Sequence, residues 1–323
     1  AANLVLAFAG TVTEHTGTVT ITDAPTLAQL VTINAETTGA ITLNDASANY
    51  SGSAANLVLA FAGTVTTHTG TVTVTDALSV TNANTINAAT SGVITASITD
   101  DATDLATLTG TGNNYTITFG NTDAASLAEL VTINAATTGA LTLNALTVAA
   151  NLSGSSANLT SAFAGTVTTH TGTVTLTDAP TVAQLVSINA ASTGAITLNV
   201  TNGALSGSAA NLVLAFAGTV TEHTGTVTIT DAPTVAQLVT INAETTGAIT
   251  LSTANGALSG SAANLVLAFA GTVTEHTGTV TITDAPTVAQ LVTINAETTG
   301  AITLSTANGA LSGSAANLVL AFA

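Results

Sequence analysis

The chain has 323 residues and a formal net charge of −17, with no Lys, Arg, Cys, Met or Trp. With no Lys or Arg to neutralise phosphates, no nucleic-acid partner is expected and anionic membrane surfaces are disfavoured. The missing sulfur removes disulfides, thiol catalysis and soft-metal sites.

Charged residues make up 5% of the chain, against about 25% in ordinary domains, while hydrophobic residues make up 46%. Disorder goes with the opposite balance. The longest apolar run, "AANLVLAFA", falls well short of the roughly 20 residues that span a bilayer, so no membrane span is expected. Trypsin should leave even the denatured chain intact, and a discrete tryptic ladder would contradict the sequence.

In chain order, the first strand signal is "GTVTIT", where Val19 and Ile21 alternate with Thr18, Thr20 and Thr22 at period two. Asp23 closes it. Pro25 ends the extended segment just before Thr26, which with Gln29 forms a capping-box signature. Leu27, Leu30 and Val31 follow at helical spacing. A second strand signal comes at Ile41 and Leu43 in "GAITLN". Ser53 then reads as an N-cap and Gly63 as the C′ residue of a helix carrying Ala54, Leu57, Val58 and Phe61 on one face. Ser126 and Glu129 repeat the capping-box pattern.

These signals recur. The Asn of "ANL" falls at Asn3, Asn56, Asn158, Asn211, Asn264 and Asn317, spaced 53, 102, 53, 53 and 53 residues apart. The long gap hides a divergent copy near 97–150, in which Asp104 takes the Asn place. Residues 206–258 and 259–311 are identical. Within each unit "TGTVTIT" at Thr16 and "TGAITLN" at Thr38 lie 22 residues apart, and the next "TGTVT" starts 31 further on, at Thr69.

Two unequal coils per repeat, each with one strand and one short helix, predict an α/β solenoid with a parallel sheet. The alternative is an all-β solenoid with three coils of about 18 residues per unit, favoured by the Thr and Val content. In either case residues 1–323 read as one continuous solenoid of about six repeats. It has no capping units and reads as a slice of a longer chain.

The phrases "VTITDAPTVAQLVTINAETTGAITL" and "SGSAANL" resemble, in style, tandem-repeat regions of giant secreted or surface proteins of bacteria, of the cyanobacterial adhesin-like or haemolysin-like kind. The resemblance covers essentially the whole chain. It implies an extracellular or cell-surface structural or adhesive role and transfers no active site. The calcium nonapeptide "GGxGxD" of repeat toxins is absent.

His15, His68, His170, His223 and His276 form a column, with Glu14, Glu222 and Glu275 beside three of them. Successive members lie about 10 Å apart at the strand spacing, too far to share a zinc that needs ligands at about 2 Å. They read as exposed loop residues, with contacts between neighbouring rods, and bundling on mild acidification, as the functional option. Asp23, Asp76, Asp123, Asp178, Asp231 and Asp284 read as Asx-turn or helix-capping groups. Asp100, Asp101 and Asp104 are the one candidate calcium cluster; no other cofactor is expected. Asn34, Asn87, Asn134, Asn189, Asn242 and Asn295 read as a ladder bonding the next coil's backbone. Phe8, Phe61, Phe163, Phe216, Phe269 and Phe322 read as a core stack.

No nucleophile sits beside a positioned base, no glycine-rich phosphate loop appears, and no aromatic binding platform exists, so no enzyme is expected. The expected function is a structural filament, stalk or matrix fibre that associates with itself end to end and also side by side. The alternative is an adhesin or an ice- or surface-binding module that uses the outward Thr ranks.

Overall fold

A computed structural model describes residues 1–10, 14–306 and 309–323. The chain is α/β: short parallel strands alternate with helices in several parallel sheets. The helices rule out the all-β alternative. Contacts divide the chain into two compact units, Ala1–Ala150 with Ser161–His170, and Asn151–Thr160 with Thr171–Ala323. Among the described residues no helix is long and apolar enough to cross a membrane.

One repeat of the second unit shows the building rule. Strands Leu205–Gly207, Val227–Ile229 and Ile249–Leu251 lie parallel, with Leu205 opposite Val227 and Val227 opposite Ile249. Val227 and Ile229 point inward and are fully buried, while Thr228 between them faces out. Each such buried aliphatic side chain contributes about 1.5–3 kcal/mol. Helix Ala209–Ala215 joins the first strand to the second, and helix Val235–Ala243 joins the second to the third. The repeat therefore carries three strands and two helices, where the sequence pattern predicts two of each.

The unpredicted strand is "LSG". It has one apolar residue and no alternation, so period two cannot reveal it. Its presence also breaks the ladder. After Ile249–Leu251 a new sheet starts at Leu258–Gly260 and runs through Val280–Ile282 to Ile302–Leu304. Ile249 keeps only a single bridge forward, to Val273.

In the first unit, Val19–Ile21 pairs with Ile41–Leu43, and a five-stranded sheet runs Tyr50–Gly52, Val72–Ala77, Ile94–Asp100, Asn114–Phe119, Leu141–Thr142. The divergent copy supplies its longest members. "ITASITD" and "NYTITF" keep strict alternation for longer than "VTI", so Ile94, Ala96 and Ile98 all point inward, as do Tyr115, Ile117 and Phe119.

Local chemistry sets the helix bounds. Thr26 with Gln29, Ser126 with Glu129, Thr181 with Gln184, Thr234 with Gln237 and Thr287 with Gln290 all close complete capping boxes. Val235, Leu238 and Ile241 then form the buried face. The "AANLVLA" helices take Ser53, Ser208, Ser261 or Ser314 as N-cap. Gly63 has a left-handed φ of 67° and lies two residues beyond the C-cap Phe61, one position later than expected.

Candidate functional site

The recurring Asp and Asn columns singled out by the repeat act between successive passes of the chain. The Asp column caps backwards. Asp76 Oδ1 accepts from the Ala54 amide at 2.7 Å, Asp231 from Ala209 at 2.8 Å and Asp284 from Ala262 at 2.8 Å, each 22 residues earlier. Asp178 does the same for Ser156, and Asp123 for Ala102. The N-termini of helices Ala54–Ala60, Ala209–Ala215 and Ala262–Ala268 are thus served twice: the helix's own Ser takes the third amide and the following pass's Asp takes the first. Asp23 bonds the amino terminus of Ala1 in the corresponding place, and that bond holds its carboxyl below the usual range.

The Asn column caps forwards. Asn34 Nδ2 faces the carbonyls of Leu59, Ala60 and Ala62 at 2.8, 3.1 and 2.9 Å. Asn134, Asn189 and Asn242 meet three carbonyls each in the same way, and Asn295 meets two. These carbonyls lie in the last turn of the next helix and two residues beyond its end. In the divergent copy the job passes to Asn84, which bonds Thr107 O and the Thr109 amide, while Asn87 accepts from Asn113.

The histidines are not surface loops. His68 and His170 are 0% exposed and His223 and His276 are 2% exposed; among the five only His15 is exposed. The polar neighbours in "TEHTG" hide this, because the cover comes from a Phe seven residues earlier and from the preceding pass of the chain. Phe61, Phe163, Phe216 and Phe269, all buried, lie 5.4–6.1 Å from these rings, centroid to centroid, and Tyr50 stacks on His68 at 4.7 Å. Phe8 packs against His15 at 6.2 Å, while Phe322 is 66% exposed and joins no core. Buried rings cannot touch a neighbouring molecule, so the expected inter-rod contacts, and acid bundling through them, fail at these four positions.

His68 Nε2 lies 2.6 Å from Ala48 O, so that nitrogen carries the proton, and Nδ1 lies 3.1 Å from Thr90 Oγ1. A hydroxyl beside an imidazole is a nucleophile–base geometry, but this pair is sealed from any substrate. Burial lowers the pKa of His68, His170, His223 and His276, offset in part by the carbonyls of Ala48, Ala150, Gly203 and Gly256. Burial likewise pushes the Tyr115 hydroxyl up to about 12.

The three carboxylates of Asp100, Asp101 and Asp104 do not gather. Asp100 Oδ1 accepts from the Asp101 amide, Asp101 is the N-cap of helix Ala102–Leu105, and Asp104 lies in its first turn. No group of three or more His, Asp or Glu among the described residues is placed to hold a metal ion. A cavity of about 500 Å³ lined by Leu291, Asn295, Thr298, Gly300, Ile302 and Phe322, among others, contains no titratable side chain.

The glycine stacking escapes the sequence, whereas the outward Thr ranks follow from the period-two strands. Glycines stack backbone on backbone: a Cβ on Gly247 would lie 1.8 Å from Gly225 O, and one on Gly92 1.8 Å from Gly70 O. Outward hydroxyls also fall in register across strands, as Ser206–Thr228–Thr250, Ser259–Thr281–Thr303, Ser153–Thr175–Thr197 and Ser51–Thr73–Thr95. Thr18, Thr20 and Thr22 are all exposed, with Thr20 opposite Thr42.

Compared with family models, curated proteins and solved structures, the chain matches none. What the geometry defines is a repeat protein whose recurring polar residues join one pass of the chain to the next.

Proposed function

We propose that the chain is a structural repeat protein: an α/β solenoid that extends by coil stacking into an extracellular filament, stalk or matrix fibre. One observation carries this reading. The ties between coils repeat with the sequence, so that Asp231 on Ala209 and Asp284 on Ala262 have the same length, and Asn189 and Asn242 cap equivalent carbonyls. Each repeat offers its successor the surface it received, which is the condition for open-ended growth. The lack of Lys, Arg, Cys and Met suits bulk material outside the cell, as does the likeness to bacterial surface repeats. Self-association, and a place at the cell surface, belong to the same proposal.

The in-register Ser and Thr rows support a second reading, an adhesin or surface-binding module that uses this outer hydroxyl face. Electron microscopy of native material separates the two. Fibres of constant width are the expected result; isolated short rods would favour the adhesive reading. Recovery of the protein only from cytoplasm would overturn both.

A further inference from the structure

Each of the four buried imidazoles sits where three passes of the chain meet. The ring packs on the Phe seven residues before it and faces a carbonyl 20 residues before it, at Ala48 for His68. Its own backbone joins the pass that follows: His223 N donates to Glu244 O at 3.0 Å, and His223 O accepts from Thr246 N at 2.9 Å and from Thr245 Oγ1 at 2.9 Å. A charge placed here is felt by all three passes at once.

We propose that the imidazole column is an acid-triggered release device, in which protonation at the coil junctions parts the stacked coils. The neutral ring is already committed. In His68, Nε2–H is used on Ala48 O, and Thr90 Oγ1 accepts from the Gly92 amide while lying within reach of His68 O. In His223 and His276 neither ring nitrogen makes a well-formed hydrogen bond. At His68, His223 and His276 a second proton therefore places a full charge in a buried junction with no carboxylate bonded to the ring.

The charged and titratable groups nearby differ between copies. Tyr50 stacks on His68, and Thr67 and Ala89 stand where other repeats carry Glu. His170 has Thr169 beside it. His223 has Glu222, exposed, and Glu244, half-buried; His276 has Glu275, exposed, and Glu297, half-buried. The Phe faces offer the imidazolium some cation–π attraction, but burial outweighs it, since all four rings hold protons less readily than a free imidazole.

The sign follows from linkage. A His whose folded-state pKa lies below its unfolded value of about 6.5 leaves the unfolded chain holding more protons. Stability is then full above about pH 6.5 and falls as pH drops through that value towards the folded pKa. Each such ring lowers the folded-to-unfolded ratio by up to about tenfold per pH unit, and four rings multiply.

This inference needs only stacked coils, so it survives if the filament role fails; microscopy at neutral pH tests that role separately. The test is urea unfolding of the full chain, followed by circular dichroism at pH 7.5 and pH 5.5. Calorimetry in two buffers of different ionisation enthalpy would count protons taken up on unfolding. The midpoint should fall at pH 5.5, with a net uptake of protons on unfolding. Replacing His68, His170, His223 and His276 by Gln should flatten the pH dependence, and H223Q with H276Q alone should remove about half of it. Equal midpoints for the parent at both pH values, or no proton uptake, would overturn the proposal, and so would an undiminished slope in the folded variants. If the fourfold variant does not fold, the parent's proton count decides.

Discussion

Replacing Gly247 by alanine should cost about 3 kcal/mol or more, among the largest effects of any single methyl group added to this chain. The new Cβ would lie 1.8 Å from Gly225 O and 2.5 Å from Gly225 C. Both are backbone atoms, so no rotamer change can relieve the contact, and the passes themselves must part. Parting them strains Val227 against Ile249 and the bond from Thr246 N to His223 O. Gly218 supplies the control. Its φ is 76°, and a Cβ there meets nothing closer than Asn189 Oδ1 at 3.7 Å. Gly218→Ala therefore pays only the left-handed backbone penalty, about 1–2 kcal/mol. Urea unfolding of G247A, G218A and the parent orders the three. If G247A unfolds no earlier than G218A, the passes do not stack through this glycine. Because repeat arrays lose two-state behaviour, the comparison should use the first transition of each curve.

The contrast between these two glycines explains what the sequence can disclose. Both look alike on the page, as turn punctuation in Thr-rich segments. Gly218 has a local cause, a left-handed backbone after a helix, and a helix-ending Gly is legible. Gly247 has a cause 22 residues away, and no window of sequence contains it. The same division runs through the chain. The Thr26–Gln29 and Ser126–Glu129 boxes, the Ser53 cap and the inward Val19 and Ile21 follow from neighbours three or fewer residues apart, and the structure has them where the pattern puts them.

The histidines go the other way. Around His223 the sequence is Thr, Glu, Thr and Gly, which describes a solvated turn; the ring is covered by Phe216, seven residues earlier, and by the Gly203 carbonyl, 20 residues earlier. The "LSG" strand is hidden for a different reason. Its pairing partner Val227 supplies the regularity that Leu205, Ser206 and Gly207 lack. What betrays both features is constant spacing. Thr245 stands 22 residues after His223 and Thr90 stands 22 after His68, and the same offset relates Asp231 to Ala209. An offset shared by unrelated residue types measures the length of one pass, and from it the partners across passes can be listed without coordinates.

Asn242→Asp should be as harmful as a core truncation although it exchanges a single NH₂ group for oxygen. Asn242 Nδ2 faces Leu267 O, Ala268 O and Ala270 O at 2.9, 3.3 and 2.7 Å. One NH₂ has two protons for three carbonyls, so at least one proton is shared, and every contact runs from donor to acceptor. A carboxylate at the same place turns all three into acceptor against acceptor. It also sets a negative charge at the C-terminal end of helix Ala262–Ala268, where the helix dipole is already negative. The chain has no Lys or Arg to relieve it. Asn242→Ala loses the bonds but adds no repulsion, and water can reach the exposed carbonyls of Leu267 and Ala270. The expected costs are about 1–2 kcal/mol for the alanine variant and about 3 kcal/mol or more for the aspartate. The aspartate cost should shrink below about pH 4, where the carboxyl regains a proton and can donate to one carbonyl. Unfolding midpoints of both variants at neutral pH test the order. Equal midpoints would mean that the side chain only fills space beside the helix and that the three carbonyls are satisfied by other groups.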